Sequence, residues 1–98
     1  MLHDVITLVA LTITKDSLGI EVSTEALRNV FAEVESITQT EFYAARDAQI
    51  KPEFRFRVFF GDYKGEEILE YQKVRYAIYR TFRSGDYMEL YAERKVGV

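Results

Sequence analysis

The chain reads as short runs in which apolar and polar residues alternate, broken at close intervals by turn residues. Residues 5–14, Val-Ile-Thr-Leu-Val-Ala-Leu-Thr-Ile-Thr, predict a first strand, and Lys15-Asp16-Ser17-Leu18-Gly19 supplies the turn chemistry that ends it. Over 54–60, Phe54, Phe56, Val58 and Phe60 share one face and Arg55, Arg57 and Phe59 the other. A loop over Gly61–Gly65 leads to a short strand at Glu67–Tyr71. Val74, Tyr76 and Ile78 then alternate with Arg75, Ala77 and Tyr79. Ser84-Gly85-Asp86 turns the chain tightly into Tyr87–Glu93, with Met88, Leu90 and Ala92 pointing inward and Glu89 and Glu93 outward. Short strands with such frequent turn signals predict a mainly β fold, a small antiparallel β-barrel or sandwich.

Two stretches depart from simple alternation. Over 30–35, Val30, Ala32 and Val34 alternate with Phe31, Glu33 and Glu35, as in a half-buried strand. Yet Leu27, Val30, Phe31, Val34 and Ile37 also fit a helix, capped by Ser23 or Thr24 with Glu25 in its first turn. Pattern alone slightly favours the helix. The connection over 38–52 predicts its own short helix. Thr38 and Glu41 have capping-box spacing, Phe42, Ala45 and Gln49 share one helical face, and Pro52 closes the segment.

Phe31-Ala32-Glu33-Val34-Glu35 followed by Glu41-Phe42-Tyr43-Ala44-Ala45 resembles the signature region of the tailed-phage head–tail joining proteins, also called head closure proteins. In that family an aromatic-Ala-x-Val/Ile-Glu strand leads into a Glu-aromatic-x-Ala stretch. The resemblance extends over nearly the whole chain. It takes in the first strand and its Asp16–Gly19 turn, the Arg-x-Arg strand over 54–60, Tyr76-Ala77-Ile78-Tyr79-Arg80 and the terminal Tyr87–Glu93 segment. Phe31 stands where a Trp is common, keeping an aromatic anchor, and Gln72-Lys73 stand where a Gly often turns the chain.

The resemblance implies strand over about 30–37, with 23–28 an irregular connection, and one head-closure-like barrel over 1–98. It implies a phage or prophage virion structural protein, a ring component of the head–tail connector that retains packaged DNA and gives the tail a docking surface. Its partners would be its own copies, a portal or adaptor connector protein and a tail or tail-completion protein. Packaged phage DNA would pass nearby without being gripped. Thr38, Glu41, Phe42, Tyr43, Arg46, Asp47 and Lys51 would form the loop facing the lumen or the neighbouring connector protein. The plainer reading of 38–52 is a helix plugging the open end of the barrel. With no coiled-coil repeat and no long exposed apolar stripe foreseen, the isolated chain is expected to be a monomer or weak oligomer that forms rings only on a connector.

Composition narrows the remaining choices. Ninety-eight residues suit one domain, and 48% apolar residues suit a folded one. The absence of cysteine excludes disulfides, thiolate chemistry and cysteine zinc sites. The longest apolar run falls well short of the roughly 20 residues that span a bilayer, and Met1-Leu2-His3-Asp4 lacks the basic start of a signal peptide. A soluble protein made in the host bacterial cytoplasm, destined for the virion and touching no membrane, is expected. A net charge of −3 argues against affinity built on neutralising phosphates.

Candidate chemistry is sparse. His3 has only Asp4 beside it, and Glu66 and Glu67 are neighbours on opposite faces, so a solvated loop is expected there. No nucleophile–base pair, metal-ligand set or phosphate loop is present, so neither an enzyme nor a cofactor is expected. Without a basic groove, the tyrosines fit interfaces better than base stacking, Tyr79 and Tyr91 among them. Glu33 and Glu35 point out from one strand and Arg55 and Arg57 from another. They either face each other as antiparallel neighbours or meet between identical subunits. The competing function is a small OB-like β-barrel that binds single-stranded nucleic acid or a peptide.

Overall fold

The β-branched first strand organises what surrounds it. In the computed structural model, which describes residues 2–47 and 49–95, β1 spans Asp4–Lys15 and pairs along its whole length with β2, Glu21–Ser36. Asp16 closes the turn between them. Its carboxylate accepts the backbone N–H of Leu18 at 2.8 Å and of Ile20 at 2.9 Å, and Gly19 takes a left-handed φ of 79°. Residues 23–28 are therefore strand, correcting the expected irregular connection. The helical spacing of Leu27, Val30 and Phe31 goes unused, because an unbroken ladder from Asp4↔Ala32 to Lys15↔Glu21 outweighs a local periodicity.

After β2 come α1 (Gln39–Asp47), β3 (Pro52–Phe59), a 3-10 turn at Phe60–Asp62, β4 (Ile68–Tyr71), β5 (Val74–Ser84) and β6 (Tyr87–Arg94). The strands close into one antiparallel barrel in the order β1-β2-β3-β6-β5-β4. The fold is thus mainly β, with its short helix in the β2–β3 connection, as the alternation and the capping box predict. The closing seam is short: Thr7↔Glu70, Leu8↔Leu69 and Val9↔Ile68 are the β1–β4 pairs. No helix among the described residues is long and apolar enough to cross a membrane.

Every strand sends residues inward. Ile6 and Leu8, Val30 and Ala32, Phe56 and Val58, Leu69, Tyr76, and Leu90 and Ala92 form the buried cluster. Phe54, Phe56, Tyr71 and Tyr76 pack edge to face with ring centroids 5.6–6.0 Å apart, the arrangement the ring quadrupole favours. Phe60 does not continue the Phe54-Phe56-Val58 row, because β3 ends one residue earlier and Phe60 enters the turn. Phe31 also departs from the anchor role: it sits on the outer face, 61% exposed. Its parity sets it there, opposite in phase to Val30 and Ala32.

Two hairpins shape the β5 side. Gln72 (φ 51°) and Lys73 (φ 65°) both take left-handed conformations between β4 and β5, so a two-residue turn forms without the usual glycine. Within β5 the register shifts between Ile78↔Ala92 and Arg80↔Tyr91, leaving Tyr79 as an extra residue. Such a bulge redirects side chains and sharpens the local twist.

The far half of the β1–β2 hairpin is an arm. Among the described residues, Ala10–Lys15 pair only with β2 and Glu21–Phe31 only with β1. The molecule measures 50 × 30 × 24 Å. Leu11, Ile13, Leu18, Ile20 and Leu27 are all more than half exposed. The arm therefore exposes several large apolar side chains, Leu11, Ile13 and Leu27 on the parity of one face and Leu18 and Ile20 at its turn.

Candidate functional site

On the outer wall, strand parity brings the alternating charges face to face. The β2–β3 register pairs Glu33 with Arg57 and Glu35 with Arg55, and the β3–β6 register sets Arg57 opposite Glu89 and Arg55 opposite Tyr91. Arg55 reaches Glu35 at 2.6 Å and Glu89 at 3.8 Å. Arg57 lies 3.3 Å from Glu89 and 3.9 Å from Glu33. Of the two arrangements open to these residues, the cross-strand one is present within a single chain.

Glu89 is not the solvated residue its outward parity suggests. It is 8% exposed, held between two guanidinium groups and accepting the Tyr91 hydroxyl at 3.1 Å. Burial alone would lower the Arg55 guanidinium, but the hydrogen bonds and charges of Glu35, Tyr91 and Glu89 hold it above its ordinary value. Half-buried pairs like these add little net stability, because desolvation offsets most of the attraction. Their effect is on register: a one-residue slip would place every carboxylate on the wrong face.

The wall continues to the helical connection. Thr38 caps α1, its hydroxyl accepting the Glu41 N–H at 3.2 Å. The second half of the capping box does not form. The Glu41 carboxylate instead accepts the Tyr79 hydroxyl at 2.9 Å and pairs with the Arg80 guanidinium. Burial, then the hydrogen bond to Glu41, pushes the Tyr79 hydroxyl far above its ordinary pKa. Arg80 in turn lies 4.0 Å from the Tyr91 ring centre, within cation–π reach.

The C-terminal end of α1 is closed by Gln49, at φ 61°, outside the helix. The Gln49 N–H donates to Arg46 O at 2.9 Å and the Ile50 N–H to Ala45 O at 3.0 Å, the bonds of a Schellman cap. Gln49 therefore shares no helical face with Phe42 and Ala45. Ala45 is buried, Phe42 and Tyr43 are about half exposed, and Thr38, Arg46 and Lys51 face solvent. The side chain of Asp47 lies outside the described residues. Of the expected loop set, Glu41 joins the wall through Tyr79, which the sequence placed in a different set. Arg80 was missed altogether, since nothing local to it marks the Tyr79 bulge.

A second charged group sits beside the arm's root. Glu66, expected in a solvated loop, is 8% exposed. Its carboxylate accepts Arg28 at 2.6 Å and the Lys64 N–H at 2.8 Å, while Tyr63 donates its hydroxyl to Glu66 O at 2.7 Å. Burial works against the charge, but the backbone N–H groups of Glu66 and Lys64 and the Arg28 guanidinium prevail and hold the carboxyl below its ordinary value. The sequence signal was the lone Arg28 amid the alternation of β2. A cleft of about 530 Å³ lies alongside, lined by Val9, Ala10, Leu11, Arg28 and Lys64–Ile68.

These charged groups are largely spent on one another. Arg28, Arg55, Arg57, Arg75, Arg80 and Arg94 each already face a carboxylate, which leaves them poorly placed to neutralise phosphates. Among the described residues no group of three or more His, Cys, Asp or Glu side chains is placed to hold a metal ion. Compared with known proteins, the chain matches no family model and no curated protein.

Proposed function

We propose that this chain is a head closure component of a tailed phage or prophage, assembling as a ring on the portal–adaptor connector, retaining packaged DNA and offering the tail its docking surface. The observation that carries this reading is the helical connection between β2 and β3, directly after the strand that bears the signature residues. It has its own caps at both ends, and Glu41 fastens it to the wall through Tyr79 and Arg80. A locally complete unit held by one polar tie and a single buried alanine is suited to move without disturbing the barrel. The wall arginines, already paired with carboxylates, favour protein contacts over a grip on DNA.

Replacing residues 38–52 by a short turn tests the reading. The barrel should stay folded and ring joining should persist, while filled heads should lose their DNA before tails attach. Heads that hold their DNA normally, with the barrel shown to be folded, would place the closure elsewhere. Loss of the whole gene with no effect on head filling or tail attachment would remove the connector role altogether.

A further inference from the structure

We infer that the β1 edge of the arm, Ala10–Thr14, is a self-pairing surface through which two copies of this chain add edge to edge, making a four-stranded sheet from two arms. The inference goes beyond the connector role and does not depend on it.

An unpaired strand edge presents a row of N–H and C=O groups, and proteins guard such edges with charges, prolines or bulges. The two edges of this arm are guarded very differently. The β2 edge carries Glu21, Glu25 and Arg28, and a second copy paired there about Glu25 would set carboxylate against carboxylate. The β1 edge from Ala10 to Thr14 has no charge and no proline, and its register with β2 is unbroken. β-Branched Thr12, Ile13 and Thr14 favour the extended form it already holds. At its root the edge borders the 530 Å³ cleft beside Ala10 and Leu11, which leaves space there between the edge and the Lys64–Ile68 segment.

A two-fold axis perpendicular to the sheet keeps each face on its own side, so residues of like parity must meet. Centred on Thr12, the pairing sets Leu11 against Ile13 of the second copy, Thr12 against Thr12, and Ala10 against Thr14. The outer face then gathers Leu11 and Ile13 of both copies, which stand 53% and 68% exposed in the single chain. None of the paired residues carries a charge. The contact is small beside the roughly 800 Å² per partner of a standard interface, so association is weak and concentration-dependent.

The chain has no cysteine, which makes cross-linking clean. Thr12→Cys should oxidise to a dimer about tenfold faster than Ser23→Cys on the β2 edge, since directly opposed strand residues lie within disulfide reach. Sedimentation of the unmodified chain should show monomer at low micromolar concentration and dimer growing toward the millimolar range. Thr12→Lys, which opposes two cations across the axis, should weaken the dimer about tenfold or more with the melting temperature unchanged. A chain that stays monomeric throughout, a dimer indifferent to Thr12→Lys, or equal cross-linking at Ser23 would each overturn the inference. None of these bears on rings formed on connectors, which are assayed separately.

Discussion

One ladder passes through two environments. In its barrel half, Ile6, Leu8, Val30 and Ala32 are at most 7% exposed. In its arm half, every residue from Leu11 to Lys15 and from Glu21 to Leu27 is exposed. The textures are alike, Val-Ile-Thr-Leu-Val giving way to Leu-Thr-Ile-Thr, and the register does not change. What changes is the presence of a third strand. β4 flanks Thr7–Val9 and β3 flanks Ala32–Ser36, whereas the arm has only its own two strands. β-Branched alternation therefore specifies pairing, and the neighbouring strands decide whether a face becomes core.

The sharpest break of this comparison is a matched pair of truncations. Leu8 is fully buried and Leu11 is 53% exposed, only three residues apart on one strand. Leu8→Ala should cost about 2–5 kcal/mol in urea unfolding, from lost transfer energy and the cavity left behind. Leu11→Ala should stay within about 0.5 kcal/mol at low protein concentration. Equal costs would mean that the arm face is covered in the folded chain.

A second pair sets the signature strand against the loop that follows β3. Phe31 lies on the open outer face, while Tyr63 packs against the core and donates its hydroxyl to Glu66 O. Tyr63→Ala should cost about 2 kcal/mol and Phe31→Ala under about 0.5 kcal/mol in stability. Glu66 adds a pH signature to the same corner. Its folded pKa is lowered, so its contribution is fully present above the unfolded value of about 4.3 and is lost as pH falls through the folded one. Glu66→Gln should cost about 1–3 kcal/mol at pH 7 and flatten the acid limb of the stability curve. An acid limb identical to that of the parent chain would show that Glu66 is not held as described.

These contrasts mark where the sequence could be read and where it could not. Inward rows such as Phe56–Val58 and Leu90–Ala92 follow from parity alone, which also puts Glu33, Glu35, Arg55 and Arg57 on the outer face, whereas their pairing within one chain comes from the β2–β3 register. Parity is a local property. Burial on the outer face is not: Glu89 is enclosed because two arginines of β3 converge on it, alongside Tyr91 two residues further along its own strand. The Tyr79 bulge and its tie to Glu41 depend on a one-residue mismatch between β5 and β6 that no spacing within either strand records. The 23–37 stretch fitted helix and strand alike, and only the ladder with β1 resolved it.

The subtlest difference between the two halves is how firmly the arm is held. Glu25 on the arm accepts two hydrogen bonds from Arg75 of β5, at 2.7 and 3.0 Å. The hydrogen bond from Arg75 outweighs desolvation and holds the Glu25 carboxyl below its ordinary value. The Glu25 side chain is solvent-exposed and that of Arg75 only half-buried, so the pair should hardly move the global unfolding midpoint. Its effect should be local, because a two-stranded ribbon is marginal without a third element. Arg75→Gln should leave the urea midpoint unchanged while the backbone amides of Ala10–Lys15 and Glu21–Ala26 exchange faster, with those of Ile6 and Leu8 unaffected. Since the Glu25 pKa is lowered, the tie is fully present above about pH 4.3 and weakens as pH falls through the folded value. The parent arm should then exchange like that of the variant once intrinsic rates are corrected. Uniform protection along the whole ladder, in parent and variant alike, would show that arm and barrel open as one unit.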